Sequence, residues 1–317
     1  MTPTEPRRPA RVFVFAPALF LTATLERRGQ ADELHLHAGG QGLWIARMLG
    51  VLGTDVVLCG PFGGETGMVA RTLVTQEGIA VDAVGVESWT CAYVHARRGG
   101  DRVVLAEMPP QPLSRHELDE LYGAAVVAGL EAQVSVLGGP HDPSPVPPDI
   151  YRRLANDLRS DDRRVIADLS GAPLDAVLAG GIDVLKISHD ELAGGNSGDR
   201  LGIDDMVEAG RALQRRGAAH VVVSRGAEPS LLLAPDHAYE IAVPPLDPAD
   251  TGGAGDSMTA GIAAGLGDHL DILDAVRLGA AAGTLNAARH GKGSGDRPQV
   301  ERLASQIESR PLSTRGT

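Results

Sequence analysis

Two carboxylates bracket three glycines in the stretch Asp250-Thr-Gly-Gly-Ala-Gly-Asp256. The glycines free the backbone to turn where side chains would clash. The next ten residues, Ser257 to Leu266, are small or apolar and contain no proline, which suits a tightly packed helix. A glycine-rich turn feeding a helix N-terminus gathers unpaired N–H groups beside the positive end of the helix dipole, and that makes an anion site. Asp256 falls in the first helical turn, next to where a phosphate would be held. Phosphoryl transfer to an alcohol needs a base near the hydroxyl, positive groups on the phosphates and a metal. Asp256 is the candidate base, and the N–H groups of Gly253, Ala254 and Gly255 are candidates to hold the moving group. Asp250 is better suited to ordering the loop. Read alone, the stretch is equally an acidic N-cap after a flexible turn.

Other stretches carry chemistry only in company. Lys186-Ile-Ser188-His-Asp-Glu191 follows an apolar run and could be a solvated, charged helix start. Val221-Val-Val-Ser224-Arg-Gly226 ends a strand-like run, and Arg289-His-Gly291 reads as a helix end with Gly291 at C′. Gly39, Gly40 and Gln41 precede a helical pattern containing Trp44. The ten histidines show no ligand spacing with cysteines or carboxylates, which argues against structural zinc. No Gly-x-Gly-x-x-Gly follows the first strand, which argues against NAD.

The elements that must position these residues alternate strand and helix. Arg11 to Phe15 reads as a short buried strand, Thr54 to Cys59 as a second and Val81 to Val86 as a third. Further strands are expected at 134–137, 165–168, 184–187 and 220–224, with helices at 149–159, 174–179 and 204–216 between them. Such alternation predicts a parallel sheet covered on both faces. Residues 231–234 and 239–243 suit an antiparallel pair at the sheet edge. Ser114 with Glu117 three residues on predicts a capped helix to Gly129, and Asp271 to Asn286 a later one. By contrast, 21–26, 33–37, 90–96 and 101–107 alternate polar and apolar, and form two hairpins of a small separate sheet. The second hairpin turns at Arg97-Arg98-Gly99-Gly100.

Across the 317 residues, 43 % are apolar but only 3 % aromatic, so Ala, Gly, Val and Leu must fill the core. The net charge of −12 argues against nucleic acid or an anionic membrane as partner. Cys59 and Cys91 are too few for a disulfide framework and fit the cytoplasm. No apolar run approaches the ~20 residues of a membrane span.

The fixed positions of Asp250 to Asp256 match the C-terminal signature of the ribokinase-like (PfkB) family of ATP-dependent sugar kinases, and the chain resembles that family from about Arg11 to Gly295. Within it the resemblance is to the subgroup that contains 1-phosphofructokinase and tagatose-6-phosphate kinase. It implies a three-layer α/β fold with a mostly parallel sheet, helices on both faces and a small β-sheet lid. Residues 11–18, 39–88 and 108–309 would form the core and 19–38 and 89–107 the lid. Residues 1–10 and 310–317 would be loose tails. The lid would cover the acceptor and support a homodimer. The resemblance implies ATP and Mg2+ as cofactors and a sugar-like alcohol as acceptor. Lys186, Ser188, Ser224, Gly226, Thr251, Arg289 and Gly291 would serve the nucleotide, Glu191 the metal, and Gly39, Gly40 and Gln41 the sugar.

The chain departs from the pattern at the acceptor. The subgroup usually has Asn-Pro-Ala-x-Asp after the first strand; here Phe20 replaces the aspartate. Trp44 stands for an asparagine, and Cys91 for the arginine that binds the substrate's phosphate. The metal motif, usually Lys-Pro-Asn-x-x-Glu, has Ile187 and Ser188 in place of proline and asparagine. A changed acceptor explains this best: an uncharged alcohol rather than a ketohexose phosphate. Arg47, His95 or Arg97 are the residues that could replace the missing arginine. The alternatives are a nucleoside kinase, with Phe20 and Trp44 stacking on a base, and a nucleotide-binding homologue of weak activity.

Overall fold

The computed structural model describes residues 9–97, 102–139, 144–160, 163–194 and 201–312. Most of the N-terminal tail, residues 98–100 of the expected turn and the last five residues therefore lie outside the described residues.

β1 (Arg11–Phe15) leads through a short bend to β2 (Phe20–Arg28) and β3 (Ala31–Gly39), followed by α1 (Gln41–Val51), β4 (Asp55–Gly63), α2 (Gly64–Gln76) and β5 (Ala80–Val86). β6 (Cys91–Arg97) and β7 (Val103–Met108) precede α3 (Arg115–Leu130), β8 (Val134–Gly138), α4 (Asp149–Leu158) and β9 (Arg164–Asp168). Then come α5 (Gly171–Gly180), β10 (Ile182–Ser188), α6 (His189–Leu192), α7 (Ile203–Arg215) and β11 (Ala218–Arg225). The chain finishes with β12 (Glu228–Leu233), β13 (Ala238–Ala242), α8 (Ala254–Gly267), α9 (Ile272–Ala287), α10 (Arg297–Ala304) and β14 (Glu308–Pro311).

Among the described residues the large sheet runs β14-β13-β12-β11-β10-β9-β8-β1-β4-β5. It is parallel from β11 to β5 and antiparallel from β11 to β14. Successive side chains of a strand point to opposite faces, so one sheet feeds two cores. Val12, Val14, Val136 and Ile166 pack with α1, α8 and α9; Phe13, Phe15, Leu137 and Val165 pack with α3, α4 and α5. Each fully buried large side chain contributes roughly 1.5–3 kcal/mol; Leu, Val and Ile supply most of them, with Ala filling between, as the low aromatic content requires.

The four alternating segments pair as a second sheet, β3-β2-β6-β7. In register, Phe20 pairs with Gly39 and Cys91, Thr22 with His37 and Tyr93, and Thr24 with His35 and His95. These residues share one polar-aromatic face. Leu25, Leu34, Leu36 and Val94 lie on the other, where Leu34 and Leu36 are exposed.

The capping box that starts α3 forms as its spacing predicts, with Ser114 Oγ accepting from Glu117 N and Glu117 Oε2 from Ser114 N. Several boundaries differ from the sequence reading. Arg310 and Pro311 belong to β14, paired with Glu240 and Tyr239, instead of fraying. Ala10 is buried, and its carbonyl accepts from Asp55 N. β4 continues past Cys59 because Gly60 to Gly63 pair with Ala83 to Val86. Its Pro61 is tolerated because β1 ends opposite Cys59, so the missing N–H faces no partner strand there. α9 stops at Ala287, so Gly291 lies beyond its C′ position. Among the described residues no helix is long and apolar enough to cross a membrane.

Candidate active site

β1 neighbours β4 on one side and β8 on the other, so the strand order reverses direction there. Open parallel sheets take ligands at such a switch point, beyond the carboxyl ends of the strands. A cleft of about 640 Å³ opens at that edge, lined by Ala18 after β1, Gly139 after β8, Asp168 at the end of β9 and Glu191 in α6. Gln41 and Trp44 of α1 and Asp256 of α8 complete it. The candidate base thus shares one cavity with two of the expected acceptor residues and the expected metal residue.

The loop before α8 has the form an anion site needs. Asp250 Oδ1 accepts from Gly252 N at 2.9 Å, an Asx turn that orders the loop. Gly253 takes a left-handed φ of 80° at the N-cap, a conformation other side chains resist. The N–H of Ala254 turns back to Thr251 O at 3.3 Å. The N–H groups of Gly253, Gly255 and Asp256 donate to no acceptor among the described residues. Asn286, fully buried, ties the loop to its neighbour: Nδ2 donates to Gly252 O, while Oδ1 accepts from Gly293 N and Ser294 N.

Asp256 is unusual electrostatically. Burial pushes its pKa up to about 7, and the nearby Asp168 carboxylate pushes the same way. Lys186, Lys292 and a hydrogen bond with the Gln41 side chain hold it down from going further. Lys186 and Asp168 form a buried pair, Nζ to Oδ1 3.3 Å, and Thr259 Oγ1 donates to Asp168 Oδ2 at 2.8 Å. Burial works against the Lys186 charge, but Asp168, Asp256 and Glu191 outweigh it, so its pKa is raised and it stays a cation. A β-carbon on Gly255 would stand 2.6 Å from Lys186 Nζ, so the ammonium rests against the anion loop. Asp168 and Thr259 were not singled out from the sequence. A lone aspartate ending Val-Ile-Ala-Asp has no local signature; only the strand order brings it to the cleft.

The expected nucleotide and metal residues divide. Ser188 pairs with Ser224 at the ends of β10 and β11. Ser188 and Glu191 form a capping box, Ser188 N and Oγ donating to Glu191 Oε2 at 2.9 and 2.6 Å. Gly226 turns with φ 62° and Gly291 with φ 99°. Arg289 is turned to Gln299 Oε1 at 2.7 Å, away from the cleft. Thr251 contributes its backbone carbonyl to the loop.

The acceptor end differs from the sequence picture. Trp44 lines the cleft, whereas Phe20 and Cys91 line a much smaller adjoining pocket with Trp89 and Thr90. Phe20 meets Trp44 and Tyr93 edge to face, with ring centroids 6.0 and 5.4 Å apart. Its ring also covers Gly39, where a β-carbon would come within 2.4 Å. Gly40, φ 128°, lies against the Ala18 carbonyl. These two glycines therefore make room for protein packing. Burial raises the thiol pKa of Cys91, and that of Cys59 to about 12, which disfavours the reactive thiolate at both.

The three candidates to replace the missing arginine are engaged elsewhere. Arg47 grips Glu77 through Nε and Nη2 at 2.5 and 2.6 Å and also donates to Ala38 O. His95 Nδ1 accepts from Arg102 Nε at 2.9 Å, and Arg97 lies 3.8 Å from Glu26. Lys292, also missed in the sequence, does reach the site, its Nζ 3.7 Å from the Trp44 ring centroid.

Comparison with known proteins agrees with this fold. The family model described as pfkB family carbohydrate kinase matches residues 17–299. The ATP-dependent 6-phosphofructokinase isozyme 2 of Mycobacterium tuberculosis is 29% identical over 300 residues, covering 90% of this chain and 86% of the relative. The 1-phosphofructokinase of Escherichia coli is 29% identical over 283 residues, covering 88% and 89%. Escherichia coli phosphofructokinase-2, solved in complex with potassium, superposes with a TM-score of 0.79 at 25% identity, over 94% of this chain and 99% of that one.

Proposed function

The chain belongs to the pfkB family of carbohydrate kinases, and from that premise we propose that this ATP-dependent kinase phosphorylates an uncharged, ring-shaped alcohol, with Asp256 as the base. The observation that carries the reading is the cleft itself. It holds a half-buried carboxylate at a helix N-terminus and an indole wall, and no arginine lines it among the described residues.

Asp256 takes the proton of the acceptor hydroxyl as that oxygen attacks the γ-phosphorus of ATP. The bond to the β,γ-bridging oxygen breaks, and ADP leaves. The N–H groups of Gly253, Gly255 and Asp256 meet the oxygens of the transferring group, and Lys186 adds positive charge beside them. Ser188, Ser224, Gly226 and Thr251 flank the nucleotide. Arg289 would have to leave Gln299 to take part.

Among the described residues no cluster of three or more His, Cys, Asp or Glu could hold a metal alone. That fits Mg2+, which keeps several waters and leans on substrate phosphates; the free Oε1 of Glu191 would hold one such water. Bound there, Mg2+ would neutralise phosphate charge.

Replacing arginine with Cys91 and aspartate with Phe20 removes the groups a sugar phosphate would need, at roughly 1–3 kcal/mol for each polar group left unpaired. Trp44 instead suits the C–H face of a modified sugar or cyclitol. A nucleoside is the second reading, favoured by the aromatic group of Phe20, Trp44 and Tyr93. The small sheet acts as a lid that excludes water, which would otherwise accept the phosphoryl group. Its exposed Leu34, Leu36, Val103 and Leu105 suit self-association; light scattering that finds only monomer would exclude this. The two free cysteines accord with a cytoplasmic location.

A thermal-shift screen of sugars, cyclitols, nucleosides and ketohexose phosphates, with and without a non-hydrolysable ATP analogue, tests the acceptor class. Stabilisation by a neutral ring alcohol supports the reading. Stabilisation confined to the sugar phosphates refutes it.

A further inference from the structure

Lys292 touches both halves of the cleft. Its stem lies along the anion loop: a β-carbon on Gly253 would stand 3.1 Å from Lys292 Cβ and 3.2 Å from its Cγ, and one on Gly252 3.0 Å from its Cε. Its ammonium sits 3.7 Å from the centroid of the Trp44 ring. Among the described residues this ammonium has no carboxylate within ion-pair distance and no hydrogen-bond acceptor, so the indole is the group that meets its charge. The surrounding backbone is fixed as well. Gly293 and Ser294 are tied to the anion loop through Asn286. Gly293, φ 69°, approaches so closely that a β-carbon would come within 2.6 Å of the Trp44 carbonyl. The segment is wedged between α1 and the loop before α8.

We propose that Lys292 is a positioning residue whose stem rests on Gly252 and Gly253 and whose ammonium pins the Trp44 indole, coupling the wall that receives the acceptor to the loop that holds the transferring phosphoryl group. This rests on the reading of the cleft as a kinase site. A cation over an indole at a partly desolvated position holds the ring in one orientation, and losing it should weaken acceptor recognition on the order of 3–30-fold. A second consequence is electrostatic. The groups around Asp256 are Gln41 from α1, Asp168 from β9, Lys186 from β10 and Lys292 from the segment after α9, with Glu191 of α6 acting on Lys186. Without Lys292, Lys186 alone among the cations opposes Asp168, so the acid limb of the pH–rate profile should move to higher pH.

The chain has two tryptophans, so Trp89→Phe leaves Trp44 as the only fluorophore of its kind. In that background, Lys292→Met and Lys292→Arg are compared by acrylamide quenching of Trp44 and by steady-state kinetics, with Lys292→Gln held ready should the Met variant fail to fold. Lys292→Met should increase quenching, raise the acceptor KM 3–30-fold, leave the ATP KM within twofold and shift the acid limb upward; Lys292→Arg should stay near the parent in all four. Unchanged quenching and acceptor KM in the neutral variant would overturn the proposal, as would equal loss of ATP and acceptor affinity. If the parent phosphorylates no acceptor, the kinase reading of the cleft fails. The quenching data still decide whether Lys292 holds Trp44.

Discussion

Asp256 must be charged to act as a base, yet its surroundings favour the neutral acid. With a pKa near 7, set by burial and then by Asp168, activity should rise with pH through about 7 and level off above it. Stability should run the other way. Between the unfolded value near 4 and about 7 the folded protein holds a proton that the unfolded chain has released, so stability falls as pH rises through that window. Asp256→Asn removes this cost. The variant should therefore gain more in Tm at pH 8 than at pH 5, by up to a few kcal/mol in stability terms. Calorimetry at the two pH values decides it: equal gains, or a larger gain at pH 5, contradict the assigned environment. At this scale the signature residues were readable in the sequence because glycines and carboxylates at fixed spacing have a local purpose. Asp168, Lys292 and Asn286 were not readable, since each acts on a partner far away in the chain. Arg47 was read as a possible phosphate ligand because its partner, Glu77, lies thirty residues downstream at the C-cap of the next helix.

Helices α8 and α9 meet almost backbone to backbone: a β-carbon on Gly261 would lie 2.6 Å from Gly279 Cα. Gly261→Val should therefore cost roughly 2–3 kcal/mol, despite valine's better helix propensity, because backbone cannot move aside as a side chain can. Chemical denaturation showing a stability unchanged from the parent would rule out this contact. Gly255→Val acts differently. Its new atoms meet the flexible end of Lys186, so the fold should persist while the ammonium is displaced from the anion loop. Binding of an ATP analogue, read by titration calorimetry, should weaken at least 10-fold; undiminished affinity would separate this loop from the nucleotide. Buried strands such as Arg11–Phe15 and capped helices such as Arg115–Leu130 were readable because pattern and caps are local. β14 was not, because Glu-Ser-Arg-Pro has no apolar alternation and forms a strand only against β13. The extension of β4 through Gly60 and Pro61 was hidden because those residues usually signal a turn.

On the proposed reading, the whole molecule joins a phosphoryl-transfer end that carries the Asp250 to Asp256 signature to an acceptor end rebuilt in aromatic residues. Its fold, with a mostly parallel sheet between helices and a small separate sheet, followed from the alternation of elements along the chain. The acceptor's chemistry depends on which side chains converge, and the sequence alone did not show that Phe20, while meeting Trp44, lines with Cys91 a small pocket adjoining the cleft. The most direct test of the central claim is steady-state phosphoryl transfer from ATP by the parent and by Asp256→Asn. The acceptors are neutral modified sugars, cyclitols and nucleosides together with fructose 6-phosphate, fructose 1-phosphate and tagatose 6-phosphate. The account predicts transfer to a neutral ring alcohol that falls by about 10²-fold or more in the variant, with none of the three phosphates turned over efficiently. Efficient turnover of any of those phosphates, or a variant as active as the parent, would contradict it.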